Sequence, residues 1–164
     1  MSGDGDASGE SRIKPEFLEA IYAQSRAEFP NECCGYILGA GDQAELVQCK
    51  NRQDQLHAMD PEAHPRTAAN AYNIGGKELL TLVRSFESER PASVIYHSHP
   101  RVGAYFSEED TRAAIAAGFP VAYLVVDAQE DRIGGAVLFR REDERYVEVA
   151  VFGDPYRGAR ADGD

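Results

Sequence analysis

Two histidines separated by a single residue are the side chains of this sequence best suited to bind a metal ion. His97 and His99 flank Ser98 and are followed by Pro100. The short, apolar and β-prone run Ala92 to Tyr96 predicts a strand that reaches the first histidine. Because side chains alternate between the faces of a strand, we expect both imidazoles on one face and Ser98 on the other. Two imidazoles in this arrangement suit a tetrahedral cation such as zinc, and the proline is expected to end the strand.

A third candidate ligand follows at the start of a predicted helix. Ser107 and Asp110 precede an alanine-rich run, and we predict a helix over residues 109–117. A serine followed three residues later by an acid is typical of a helix N-terminus. Asp110 would then lie in the first turn, where it either turns back towards the histidines or simply caps backbone N–H groups. Three protein ligands with one open position are the pattern of a catalytic zinc site, whereas structural zinc sites use four protein ligands.

The combined pattern, H-x-H-P followed after six residues by S-x-x-D, resembles the signature of the JAMM (MPN+) metalloproteases. That family also carries a glutamate before its first long strand, and Glu32 fits this position in the stretch 32–39, ECCGYILG. The resemblance implies one zinc ion with a bound water molecule, held by three ligands: His97, His99 and Asp110. It further implies that Glu32 passes a proton from this water to the leaving amine and that Ser107 stabilises the oxyanion.

The resemblance also implies a substrate, the glycine-rich C-terminal tail of a ubiquitin-like or sulfur-carrier protein. The sequence does not decide which bond is cleaved. The candidates are an isopeptide bond to a target lysine and the bond to an amino acid attached at the end of a sulfur carrier. A catalytically inactive MPN-type scaffold or binding module is the alternative, although all five site residues are present. Two further interpretations concern single residues: Glu32 is a solvated loop acid, and Cys33 is a nucleophile. Zinc deaminases fit less well, since the sequence has neither H-x-E nor P-C-x-x-C.

Composition argues against several other classes of protein. The 164 residues include 17 basic and 28 acidic side chains and carry a formal charge of −11, so we expect no nucleic-acid partner. No apolar run approaches the roughly 18 residues that span a membrane, and the acidic N-terminus lacks the features of a secretory signal. Cys33, Cys34 and Cys49 include no C-x-x-C pair, which predicts free thiols in a cytoplasmic protein. The oligomeric state is not predicted.

The order of the predicted elements favours a single α/β domain. Helices are predicted at 15–28, 76–89 and 109–117, and strands at 34–38, 45–50, 92–96, 121–126, 133–140 and 145–152. This order indicates a mixed β-sheet sandwiched between helices, and the resemblance implies the same MPN architecture, which is cytidine-deaminase-like. Residues 1–12 are expected to be a disordered tail, 13–152 the metalloprotease domain, and 153–164 a loose tail. The polar segment 51–73 is interpreted as a solvent-exposed loop that helps to hold the substrate protein.

Overall fold

The computed structural model describes residues 13–158 and contains a β-sheet with helices on both faces. Within these residues the strands are β1 (Cys34–Leu38), β2 (Glu45–Cys49), β3 (Ala92–Pro100), β4 (Ala122–Ala128), β5 (Ile133–Glu142) and β6 (Arg145–Gly153). The helices of the same residues are α1 (Pro15–Glu28), α2 (Gln53–Met59), α3 (Gly76–Ser85) and α4 (Glu108–Ala117). The strand order is β2-β1-β3-β4-β5-β6, with β3 and β4 parallel and the other neighbours antiparallel. This mixed sheet confirms the predicted fold class.

The sheet separates two layers of hydrophobic core. On one face, α1 packs its buried Ile21 against apolar side chains that include the fully buried Leu124. The opposite face carries Tyr36 and packs against α3 and α4 through Leu82 and Ala114. Burial of a side chain the size of Leu124 contributes roughly 1.5–3 kcal/mol. Strand β4 is buried along its whole length, as expected for a strand covered on both faces.

The segment predicted to be an irregular loop contains helix α2. Asn51 holds the start of α2 in place, because its side-chain carbonyl accepts hydrogen bonds from the backbone N–H groups of Gln53 and Asn73. The Asn51 amide in turn donates to the backbone carbonyl of Ala71 at 3.0 Å. The interpretation of 51–73 as a structureless loop was therefore wrong. The helix is held by polar contacts between distant positions, and these leave no apolar periodicity in the sequence.

Residues 154–158 are packed against the sheet, which differs from the loose tail expected from the sequence. The backbone N–H of Tyr156 donates to the fully buried Asp127 carboxylate at 2.8 Å. The backbone carbonyl of Tyr156 accepts a hydrogen bond from the N–H of Ala104 at 2.7 Å, which connects the segment to the loop after β3. Residues 1–12 and 159–164 lie outside the described residues. No helix within 13–158 is long and apolar enough to cross a bilayer.

Candidate metal centre

Strand β3 presents both histidines to the same face of the sheet. Its parallel pairing with β4 continues as far as Pro100, so the strand is four residues longer than predicted and ends at the proline. His97 is fully buried, His99 is 3% exposed, and their Nε2 atoms lie 3.2 Å apart. Ser98 points to the other face, where its hydroxyl accepts the backbone N–H of Cys33 at 2.8 Å. The alternation expected for a strand therefore brings the two imidazoles together.

The N-terminus of α4 brings a carboxylate to the same point. Ser107 is the N-cap: its Oγ accepts the N–H of Asp110 at 2.9 Å, and Asp110 Oδ2 accepts the N–H of Ser107 at 3.1 Å. The same Oδ2 atom lies 3.1 Å from His99 Nε2 and 3.3 Å from His97 Nε2. The helix cap thus fixes the orientation of the carboxylate. Capping and metal binding by Asp110 are compatible in this geometry.

The donor atoms of His97, His99 and Asp110 form a triangle with sides of 3.1, 3.2 and 3.3 Å, a group that could hold a metal ion. Around a tetrahedral zinc ion with bonds of about 2.0–2.1 Å, neighbouring donor atoms lie about 3.3 Å apart. His99 Nδ1 donates to the Gly103 carbonyl at 2.8 Å, which directs Nε2 of the same ring towards the carboxylate. In the neutral ring this Nε2 atom carries a lone pair that can bind a metal ion. The spacing and the chemistry of the three donor atoms therefore fit zinc.

Burial and neighbouring charges set the protonation of this group. Burial opposes the ionisation of Asp110, but the imidazoles of His97 and His99 outweigh it and hold the pKa of this carboxyl well below its usual range. Burial likewise lowers the pKa of His99, while the hydrogen bond and charge of Asp110 raise it, and the net direction is upward. An ionised carboxylate beside two imidazole nitrogens is a suitable donor set for a divalent cation.

Glu32 reaches the same face of the sheet from the residue that leads into β1. The antiparallel register pairs Cys34 with His97, and Glu32, two residues before Cys34, lines the same cleft as His99. The carboxyl is only 5% exposed, and its Oε1 atom has no hydrogen-bond partner within residues 13–158. Burial raises the pKa of Glu32 to about 7. An acid that titrates near neutrality and has an unused oxygen is suited to proton transfer.

The backbone of Glu32 is held on both sides by the segment 51–73. Its N–H donates to the carbonyl of Ala68 at 2.8 Å, and its carbonyl accepts the side-chain amide of Asn51 at 2.8 Å. These contacts fix the glutamate although it precedes the regular part of β1. The interpretation of Glu32 as a solvated loop acid is therefore excluded by its burial.

A cleft of about 560 Å³ opens beside the site and is lined by Glu32, His99 and Asp110. Helix α4 and the loop before it form one wall, which includes Ser107. Because Ser107 Oγ accepts a hydrogen bond within the cap, its own O–H remains able to donate to a bound molecule. Segment 51–73 also lines the cleft, which is the position that its interpreted role in holding the substrate protein requires.

Several groups around the histidines were not among the candidate site residues. Tyr72 stacks on His97 with ring centroids 4.5 Å apart and planes inclined by 21°. Tyr105 meets His99 edge-on at 5.2 Å. The Gly103 carbonyl, which orients His99, lies in the loop between His99 and Asp110. In the sequence, only the glycine itself indicated that this loop position is special. Gly103 adopts a φ of 101°, which requires a residue without a Cβ.

Cys33 lies on the opposite face of the sheet, in the core beneath α1. Its Sγ atom contacts the Ser25 hydroxyl at 3.3 Å, and burial raises the pKa of the thiol to about 11. A protonated thiol on the wrong face of the sheet cannot act in the cleft, which excludes the nucleophile interpretation. All three cysteines are free and buried, as predicted.

With this geometry in view, the chain belongs to the family of prokaryotic homologs of the JAB domain, whose family model matches residues 14–151. This match confirms the family expected from the sequence. Among curated proteins, the chain is similar to the CysO-cysteine peptidases of Mycobacterium tuberculosis and Mycobacterium bovis. Identity to each is 26% over 120 residues, which covers 73% of this chain and 73% of the relative. Together, the family and these relatives support a peptidase-like hydrolytic function.

Solved structures agree on the fold. A protein from Desulfitobacterium hafniense superposes with a TM-score of 0.59 at 20% identity, covering 87% of this chain and 92% of its own. A protein from Salinibacter ruber gives a TM-score of 0.53 at 16% identity, with coverages of 85% and 89%. At these identities the similarity supports the architecture alone.

Proposed function

We propose that the protein is a zinc-dependent peptidase or isopeptidase that cleaves after the C-terminal tail of a ubiquitin-like or sulfur-carrier protein. The observation that carries this proposal is the triangle of donor atoms at the edge of the cleft, with buried Glu32 on the same face. His97, His99 and Asp110 would hold the zinc ion. Zinc, when bound, supplies a Lewis acid that polarises a carbonyl and makes water acidic enough to lose a proton near neutral pH.

Glu32 and Ser107 would perform the proton transfer and the charge stabilisation. Glu32 Oε1 has no partner among the described residues, and it accepts a proton from the attacking water and returns it to the leaving nitrogen. Burial raises the pKa of Glu32 above its ordinary value, which favours the uptake of this proton. The free O–H of Ser107 donates to the developing oxyanion. Loss of one such donor typically costs about 10²–10³ in rate.

The relatives and the shape of the cleft support the proposed substrate class. The curated relatives are named as peptidases of CysO-cysteine, which supports a carrier protein joined to an amino acid as the substrate. Helix α4 lines the cleft with three small residues: Ala113, Ala114 and Ala117. Small side chains along one wall leave room for an extended glycine-rich tail to approach closely.

The zinc content of the gently purified protein is the first test. About one zinc ion per chain is expected, whereas less than about 0.1 per chain would favour the inactive scaffold. Turnover is then measured on two substrates, a carrier protein extended by one amino acid and a carrier protein linked to a lysine side chain. Hydrolysis of neither substrate by the zinc-loaded protein would refute the proposed function.

A variant separates the role of Glu32 from metal binding. Glu32→Gln should keep zinc and lose turnover, because glutamine cannot accept the proton. Glu109→Gln is the matched control, since Glu109 also lines the cleft but its carboxylate is bonded to Arg112. Full activity of Glu32→Gln would remove Glu32 from the mechanism.

A further inference from the structure

The cleft holds a single arginine or lysine among the residues described. This residue is Arg66, and the carboxylates that line the cleft with it are Glu32, Glu109 and Asp110. The guanidinium is always charged in proteins, so it is a permanent cation in a chain of net charge −11. Neither the proposed proton transfer nor the proposed metal binding uses this cation, although it lines the cleft.

The backbone around Arg66 is fixed and is tied directly to Glu32. The carbonyl of Arg66 accepts the side-chain amide of Gln53 at 3.0 Å, and Gln53 is buried. Two residues further, the N–H of Ala68 donates to Asp54 Oδ1 at 2.7 Å, while the carbonyl of Ala68 accepts the N–H of Glu32 at 2.8 Å. The position of Arg66 relative to Glu32 is therefore set by hydrogen bonds that do not involve its own side chain.

The guanidinium of Arg66 has most of its donors available. It donates one hydrogen bond to a described residue, from Nη1 to the carbonyl of Asn70 at 3.2 Å, and the side chain is exposed. Although burial dominates the pKa of Glu32, the charge of Arg66 acts on that carboxyl in the lowering direction. No ion pair joins these two described side chains, so the guanidinium is not occupied by Glu32. A planar fork of free donors is the arrangement that binds a carboxylate.

The chemistry of the leaving group says where a substrate carboxylate would lie. In the proposed mechanism Glu32 protonates the leaving nitrogen, so this nitrogen must lie beside Glu32. In a released α-amino acid, the carboxylate is attached to the carbon that bears the same nitrogen. The carboxylate must therefore also lie close to Glu32, in the cleft that Arg66 lines. An isopeptide to lysine offers no carboxylate there, because its leaving nitrogen is at the end of the side chain.

We propose that Arg66 binds the free carboxylate of the amino acid that is released, and so makes the protein specific for carriers that end in one added amino acid. This inference rests on the proposed function of the site. In the reaction the carrier-carbonyl C–N bond breaks and a C–O bond to water forms. Both protons of the water end on the leaving nitrogen. The products are the carrier carboxylate and a zwitterionic amino acid. The α-carboxylate of this amino acid is free before and after cleavage, so Arg66 can bind it in both substrate and product.

The test compares two substrates that differ only in this carboxylate. A carrier protein with a Gly-Gly tail is extended by one alanine, which ends either as the free acid or as the carboxamide. For the zinc-loaded wild-type protein we expect kcat/KM to be about 10- to 100-fold higher for the acid, as for a charged hydrogen bond. In Arg66→Gln, kcat/KM for the acid should fall to the value for the amide, and kcat/KM for the amide should stay unchanged. Arg66→Lys should restore part of the preference, since it keeps the charge without the fork.

Arg132→Gln is the matched control, because Arg132 is exposed in the turn after β4, is paired with Asp131 and does not line the cleft. It should keep the full preference for the acid. Equal hydrolysis of acid and amide by the wild-type protein would overturn the inference while leaving the proposed function intact. Equal losses on both substrates in Arg66→Gln, or faster cleavage of a lysine isopeptide than of the acid, would also overturn it. No hydrolysis of any substrate would instead refute the proposed function.

Discussion

Replacing Glu32 by glutamine in the metal-free protein should change how its stability depends on pH. The carboxyl is 5% exposed, and burial raises its pKa from the ordinary value of 4.5 to about 7. Between these values the folded state binds more protons than the unfolded state, so the free energy of unfolding falls as pH rises. The stabilising contribution of the protonated group is complete below the lower value and is lost as pH rises through the upper one. Glutamine has nearly the same shape and stays neutral, so the variant lacks this dependence.

The size of the effect follows from the same two pKa values. The interval from 4.5 to about 7 corresponds to about 3 kcal/mol, at about 1.36 kcal/mol for each pKa unit. The variant should therefore gain about 3 kcal/mol over the wild-type protein between pH 4 and pH 8. For a chain of this size, that free energy corresponds to a difference in Tm of roughly 6–12 °C.

Urea denaturation of the chelator-treated proteins at several pH values measures this difference. Glu144→Gln, in the exposed turn between β5 and β6, controls for the loss of one surface carboxylate. With zinc added, the positive charge favours the ionised Glu32 and the pH dependence should shrink. A difference between Glu32→Gln and wild type that stays constant from pH 4 to pH 8 would show that the Glu32 carboxyl is not desolvated, and the reasoning would fail.

Three further predictions concern the metal and the helix cap. Asp110→Asn should weaken zinc binding by more than 100-fold in a competition titration with a chelating dye, since even residues that only support a ligand contribute about 10–100-fold. Ser107→Ala should lower the free energy of unfolding by about 1 kcal/mol through the lost N-cap, and kcat by about 10²–10³; a change in stability alone would leave Ser107 a cap only. Removing zinc with a chelator should lower Tm by roughly 10 °C in a thermal scan if zinc is present at about 1,000 times its Kd, whereas an unchanged Tm would contradict metal binding in the folded state.

The features set by local patterns could be predicted from the sequence. The side-chain alternation of a strand brought His97 and His99 together, and the capping box placed Asp110 in the first turn of α4. Both patterns act within a few residues, so the sequence displays them directly. The closing hairpin of β5 and β6 was predictable for the same reason.

The features that depend on contacts between distant residues could not be derived in this way. Glu32 reaches the histidines only through the register of β1 and β3, which join segments 65 positions apart, and the family resemblance was needed to select it. Tyr72 and Arg66 belong to a segment held by single side-chain-to-backbone hydrogen bonds. Such bonds impose no repeat on the sequence. The residues of this segment that line the cleft were therefore identified only in the folded chain.

Residues 154–158 pack on the loop between His99 and Asp110, so substitutions in them should affect the candidate metal centre. Gly158 has a φ of 83°, and a Cβ at this position would lie 2.6 Å from the Val102 carbonyl oxygen. Any larger residue would push this loop, whose Gly103 carbonyl holds His99. A genetic screen for inactive alleles should accordingly recover substitutions at Gly158, 48 positions beyond Asp110. On a linear map these alleles would lie far from His99, whose orientation they alter through the Gly103 carbonyl.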